Sequence, residues 1–172
     1  MSYTENLKRI GFLKGTNLVR LKQYCQEITS LTKPSTSSYI VGNRQEIWFE
    51  KGFKLSKQVE VYEAKHDQKF YELGQKLFPG NHACLFLKYS HGSYIKPHRD
   101  HTATEAKVVQ INIGCEIQLT VEKQIHLIKD GEAIEFNSKL LHSTSPAPNQ
   151  RWVVSWRRIK SEYLNPQLSL FQ

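Results

Sequence analysis

The spacing of apolar positions changes character near residue 83. Before it, two stretches repeat at helical spacing. Thr16 and Asn17 are residue types that cap helices, and Leu18, Leu21, Cys25 and Ile28 follow on one stripe. Pro34 and a Ser/Thr cluster then break that pattern. A second helix is predicted over residues 66–78, with Phe70, Leu73 and Leu77 facing inward and Pro79-Gly80 ending it. Beyond residue 83 the pattern shortens to that of strands. ACLFLKY, KVVQINIG, EIQLTVE, QIHLI, EAIEF and RWVVSWRRI are rich in β-formers or alternate apolar with polar residues. Gly92, Gly114, Lys129-Asp130-Gly131 and Ser145 to Asn149 supply turns between them.

Helices followed by a run of short strands predict an α+β fold. The expected form is a double-stranded β-helix, or jelly roll, with the N-terminal helices packed on one sheet. No repeat, low-complexity tract or linker divides the 172 residues, so a single domain is expected. Residues 33–62, with Trp48, Phe49 and Phe53, have an irregular pattern. They read either as a lid over a site or as edge strands covering the core.

Composition narrows the range of functions. A hydrophobic content of 39% and a charged content of 23% fit a water-soluble globular protein. No apolar run is long enough to span a membrane, and MSYTENLKRIGFLKG lacks the apolar core of a secretory signal. Cys25, Cys84 and Cys115 form an odd set without CxxC spacing, which points to reduced structural thiols in a reducing cytoplasm. The formal charge of +8 favours a polyanionic partner, nucleic acid being the usual one. The lysines are scattered rather than blocked, so charge alone does not choose the partner.

The densest polar chemistry lies in GSYIKPHRDH. His98 and Asp100 are two residues apart, so on an extended chain their side chains leave one face and can meet one ion. At this composition chance alone supplies a His-x-Asp pair in roughly one chain in eight. A third ligand has to come from another strand, and His142 follows the turn-bounded strand in GEAIEFNSKLLHS. Two His and one carboxylate on one side of a metal leave positions open, which suits Fe(II) binding a co-substrate and O₂ together. Zinc accepts the same ligand types, so these alone leave the metal open.

Nine residues after His142 begins RWVVSWR, where Arg151, Val153, Ser155 and Arg157 share one strand face and Trp152, Val154 and Trp156 the other. An inward arginine requires an anion, and a guanidinium pairs bidentately with a carboxylate. The alternative has the arginines facing water and the tryptophans facing the core. In KVVQINIG, Gln110 and Asn112 oppose Val109, Ile111 and Ile113. If the apolar face packs on helices, Asn112 points into the barrel. His101 is expected to be solvated, with the mouth of a site as its other reading. His91 is expected in a turn, His126 on a surface or packed strand, and His66 and His82 without a role.

His-x-Asp, a distal His and a later Arg, in this order over residues 84–158, resemble the Fe(II)- and 2-oxoglutarate-dependent dioxygenase superfamily. CLFLKYSHGSYIKPHRD is similar to the matching stretch of AlkB-like nucleic-acid demethylases, in which a Tyr and a Gly precede His-x-Asp. Tyr89 and Gly92 stand there, and RWVVSWR resembles the AlkB closing pattern. LLHSTSPAPNQRW equally resembles prolyl-hydroxylase-like members. The resemblance implies that His98, Asp100 and His142 hold Fe(II) and that Arg151 and Tyr89 anchor 2-oxoglutarate. It further implies that Arg157 supports the metal-bound end and that Asn112 faces the co-substrate. O₂ would be consumed with loss of CO₂, and a substrate C–H bond hydroxylated. A carboxylate at Asp100 leaves no ligand position vacated for a halide, so hydroxylation, or demethylation through it, is expected rather than halogenation.

Three positions depart from the AlkB pattern. Leu87 stands where those enzymes direct an Asn at 2-oxoglutarate, Val153 where such sites are often polar, and HTAT at residues 101–104 where acidic residues meet the damaged base. The expectation is therefore an oxygenase acting on nucleic acid, with a protein or peptide hydroxylase as the alternative. A metal-binding jelly roll without oxygenase activity and a basic nucleic-acid-binding module with no metal are the rivals outside that class.

Overall fold

A computed structural model describes residues 6–55 and 58–165. The first strand, β1 (Leu7–Phe12), precedes helix α1 (Gly15–Thr29). Strands β2 (Lys33–Pro34), β3 (Ile40–Val41), β4 (Arg44–Phe49), β5 (Lys51–Leu55) and β6 (Val59–Glu63) lead to helix α2 (Gln68–Leu77). Then come β7 (Ala83–Tyr89), β8 (Tyr94–Ile95), β9 (Thr104–Ile113), β10 (Ile117–Val121) and β11 (Gln124–Ile128). Strands β12 (Glu132–Asn137), β13 (His142–Thr144) and β14 (Arg151–Ile159) and the short helix α3 (Ser161–Leu164) complete the order. No helix among the described residues is long and apolar enough to cross a membrane.

Seven strands form the large sheet, in the order β1-β12-β9-β14-β7-β4-β2, and β11-β10-β13 form a smaller one. Strand β8 lies beside β13, where the Ile95 N–H donates to Thr144 Oγ1 at 3.3 Å. Leu119 and Val121 of the small sheet pack with Leu85, Leu87, Ile134, Phe136 and Val153 of the large one, so the two sheets enclose an inner core. This is the expected jelly roll. The helices cover the other face of the large sheet, where Cys25, Ile28 and Phe70 pack on Val109, Ile111, Ile113, Val154 and Trp156. Close approach there depends on Gly74, since a Cβ at that position would stand 2.4 Å from the Trp156 indole nitrogen.

Local chemistry departs from the sequence expectation at several ends. Helix α1 begins at Gly15 with Lys14 at its cap, so Thr16 and Asn17 lie in its first turn rather than capping it. Helix α2 is shorter than residues 66–78, because the Asp67 side chain accepts from the Phe70 N–H at 2.9 Å and starts the helix there. Strand β1 was not expected: four of its six residues are exposed, so LKRIGF shows little apolar alternation, yet it pairs with β12. Within residues 33–62, residues 33–55 and 58–62 are described. Strand β4 pairs with β7 and extends the large sheet, while Thr36 to Tyr39 and Phe53 wall a cavity inside it.

Candidate functional site

Alternation on the large sheet sends one face of β4, β7, β14 and β9 into a cavity of about 540 Å³. Strand pairing stacks the inward residues in rows. Arg44, Tyr89 and Arg151 form one row; Glu46, Leu87, Val153 and Asn112 the next; Trp48, Leu85, Ser155 and Gln110 a third. Arg157 begins the fourth, beside Val108. The rows thus run from a cationic end of the cavity to a second end where His98, Asp100 and His142 meet.

At that second end the backbone does the positioning. The His98 N–H donates to the His142 carbonyl at 3.0 Å, and the His142 N–H to the His98 carbonyl at 2.9 Å. This bridge aligns two histidines 44 positions apart in the chain. His98 Nδ1 lies 3.0 Å from the Lys96 carbonyl oxygen, and His142 Nδ1 2.9 Å from that of Leu140. A carbonyl only accepts, so each Nδ1 carries the proton and each Nε2 presents a lone pair. Those Nε2 atoms stand 3.6 and 3.7 Å from Asp100 Oδ1. One ion bridges such a gap through two bonds of about 2 Å.

Asp100 is prepared from its other side. Arg157 Nε and Nη2 donate to Oδ2 at 3.3 and 3.1 Å, leaving Oδ1 toward the histidines. Burial works to raise this carboxyl, but Arg157, His98 and His142 outweigh it and hold it well below the usual carboxylate range. Burial also pushes the His142 imidazole down, against the pull of Asp100, which favours the neutral form that binds metals. A fixed tautomer, a bare carboxylate oxygen and a second-oxygen partner are the features a metal site requires. The residues present therefore fit a divalent ion with open positions.

The cationic end is arranged differently. Arg151 is 2% exposed, its Nε donates to Asn112 Oδ1 at 2.6 Å, and its guanidinium lies 5.0 Å from the centre of the Tyr89 ring. Among the described residues no carboxylate forms an ion pair with it. Burial works against its charge. A buried arginine without a counter-ion, facing a cavity, calls for an anionic ligand. The arrangement with arginines facing water is not found. Arg44 adds a second cation beside it: Nη1 donates to the Tyr89 hydroxyl at 3.4 Å, while Nη2 pairs with Glu46 at 2.9 Å.

Not every expected site residue lies where its role was expected. Asn112 is on the inner face, but its oxygen serves Arg151 and its nitrogen donates to the carbonyls of Cys115 and Lys129 at 2.7 and 3.1 Å. It braces Arg151 rather than facing the cavity. The Arg157 guanidinium engages Asp100 and, at 2.6 Å, Ser155. His101 is half-buried rather than fully solvated. It lines the cavity edge-on to Phe53 with ring centres 4.5 Å apart, and burial pushes it down to about 4. Arg44 and Glu46 escaped prediction from the sequence, although RQEIWF places both on one strand face with Trp48. Their approach to Tyr89 depends on the β4–β7 pairing, which no local pattern encodes.

No family model and no curated protein matches the sequence. Solved structures match the fold. OsALKBH1 aligns with a TM-score of 0.66 at 14% identity, over 92% of this chain and 99% of that one. A prolyl hydroxylase from Trichoplax adhaerens, in complex with a hypoxia inducible factor oxygen degradation domain peptide fragment, aligns with a TM-score of 0.65 at 14% identity, over 94% and 87%. An oxidoreductase of the 2OG-Fe(II) oxygenase family from Burkholderia pseudomallei gives 0.62 at 12%, over 90% and 85%. The chain has the jelly-roll fold that these oxygenases share.

Proposed function

We propose that the protein is an Fe(II)- and 2-oxoglutarate-dependent dioxygenase. The observation that carries this reading is a single cavity with two complementary ends. A His-Asp-His cluster stands at one, and a buried arginine without a counter-ion at the other. His98, Asp100 and His142 would hold Fe(II), and Arg151 with Tyr89 would take the distal carboxylate of 2-oxoglutarate. When bound, iron supplies O₂ activation coupled to loss of CO₂ from the co-substrate. The protein's own part is to orient and enclose. Lys96 and Leu140 fix the histidine tautomers, Arg157 keeps Asp100 ionised, and Asn112 aims Arg151.

Titration with Mn(II) and 2-oxoglutarate, followed by thermal shift and calorimetry, tests this reading. Metal-dependent binding of 2-oxoglutarate is expected, and no binding would reject the oxygenase in favour of a metal-binding jelly roll. For the substrate, nucleic acid is favoured by the formal charge of +8 and by the rings of Tyr39, Trp48 and His101 among the cavity-lining residues. A peptide hydroxylase is the second reading, supported by the likeness to a prolyl hydroxylase that holds a peptide fragment. Succinate release on adding methylated oligonucleotides or peptide pools separates them. Stimulation by peptides alone rejects nucleic acid.

A further inference from the structure

Gln110 stands out among the buried polar residues. It is 9% exposed and lines the cavity, yet its side-chain amide makes no hydrogen bond among the described residues. The other buried polar side chains all have partners: Asn112, Ser155, Arg151 and His142 within the site, and Asp67, Ser93, Thr104, Glu132 and Ser138 elsewhere. An amide on a cavity wall with no protein partner is open to whatever the cavity holds, so its position needs explaining.

The row pattern indicates what fills it. Gln110 pairs with Ser155 across β9 and β14, two rows from Arg151 and one from Arg157. Rows are about 7 Å apart, so Gln110 lies on the side of the cavity nearer Asp100. Two other donors near that end are engaged. Arg157 is taken by Asp100 and Ser155, and the Lys139 ammonium by the His101 carbonyl and Thr104 Oγ1. Leu87 and Val153, in the row between, carry no donor. An anionic ligand reaching from Arg151 to the His-Asp-His cluster passes Gln110 and finds there an amide with a free N–H pair.

We propose that Gln110 is a positioning residue for the 2-oxo-acid end of the co-substrate, donating from Nε2 to its carboxylate. This rests on reading the cavity as a 2-oxoglutarate site, and the test keeps the two apart. Calorimetry with Mn(II)-loaded protein compares 2-oxoglutarate with oxalate, which has the chelating end but no distal carboxylate. Gln110→Leu is expected to raise the Kd of both ligands about tenfold, the effect of one hydrogen bond to a charged group. Gln110→Glu, which sets a carboxylate against a carboxylate, is expected to raise both further.

Affinity for Mn(II) alone, read by its electron paramagnetic resonance signal, should stay unchanged in Gln110→Leu. The Tm of ligand-free Gln110→Leu should be equal or higher, because no hydrogen bond within the protein is lost. An unchanged Kd for 2-oxoglutarate in Gln110→Leu overturns the assignment. So does weaker 2-oxoglutarate binding with intact oxalate binding, which would put Gln110 at the other end. A lower Tm makes the residue structural and overturns it too. If the unaltered protein binds Mn(II) and neither ligand, the oxygenase reading itself fails.

Discussion

On the outer face of β14, Trp152, Val154 and Trp156 meet the helices, while on the inner face Arg151, Val153, Ser155 and Arg157 meet the cavity. Burial is nearly equal on the two sides, but the contents differ. The outer face satisfies itself: the Trp152 and Trp156 indole N–H groups donate to Thr29 Oγ1 and the Phe70 carbonyl, both at 3.0 Å. The inner face does not, because Arg151 lacks a counter-ion and the neighbouring Gln110 lacks a partner. Complete local satisfaction marks a surface built for stability. Incomplete satisfaction at the same depth marks one built for a ligand.

Substitutions on the two faces should therefore separate stability from binding. The largest effect is expected from Trp156→Ala, which empties the centre of the outer cluster and should cost about 3–5 kcal/mol. Thermal denaturation should show a Tm lower by roughly 6–20 °C, and the protein still folded should keep its Mn(II) and 2-oxoglutarate affinities. Arg151→Met should do the reverse. Calorimetry is expected to show 2-oxoglutarate affinity down roughly 100-fold, with a smaller Tm change than Trp156→Ala. A Tm loss as large as that of Trp156→Ala would mean that Arg151 belongs to the fold rather than to a ligand.

Arg157→Leu probes the metal end. Stripped of its partner on Oδ2, Asp100 should orient less well, and Mn(II) affinity should fall about 10- to 100-fold. Oxalate is informative here as well. Its apparent loss should follow that of the metal, whereas Gln110→Leu weakens the ligand alone.

How much of this the sequence carried depends on how local each feature is. The strands β7, β10, β11, β12 and β14 were legible because their own alternation and flanking turns define them. His98 and Asp100 were legible together because two residues of extended chain bring them to one face. His142 was harder, and its place depends on a backbone bridge between distant segments. Arg44 and the bracing role of Asn112 were hidden, since strand register and the turn carbonyls of Cys115 and Lys129 decide them. His101 looked like a surface residue because nothing near it in sequence announces Phe53.

The smallest expected effect sharpens the same comparison from the outer side. Cys25 and Cys84 lie in the cluster beneath the helices, and both are buried. Burial pushes the Cys25 thiol up to about 12 and raises that of Cys84 as well. Disulfide reagents attack through the thiolate, so near neutral pH both sulfurs lack the reactive form as well as access. A chromogenic disulfide should therefore leave both unmodified in native protein and label them once denaturant opens the cluster. Mass mapping identifies the modified residues. Adding Mn(II) and 2-oxoglutarate should leave this protection unchanged, because the ligand completes the inner face and the outer face is already complete. Ligand-dependent labelling of Cys25 or Cys84 would show instead that filling the cavity moves the helices, and that the two faces of β14 are coupled.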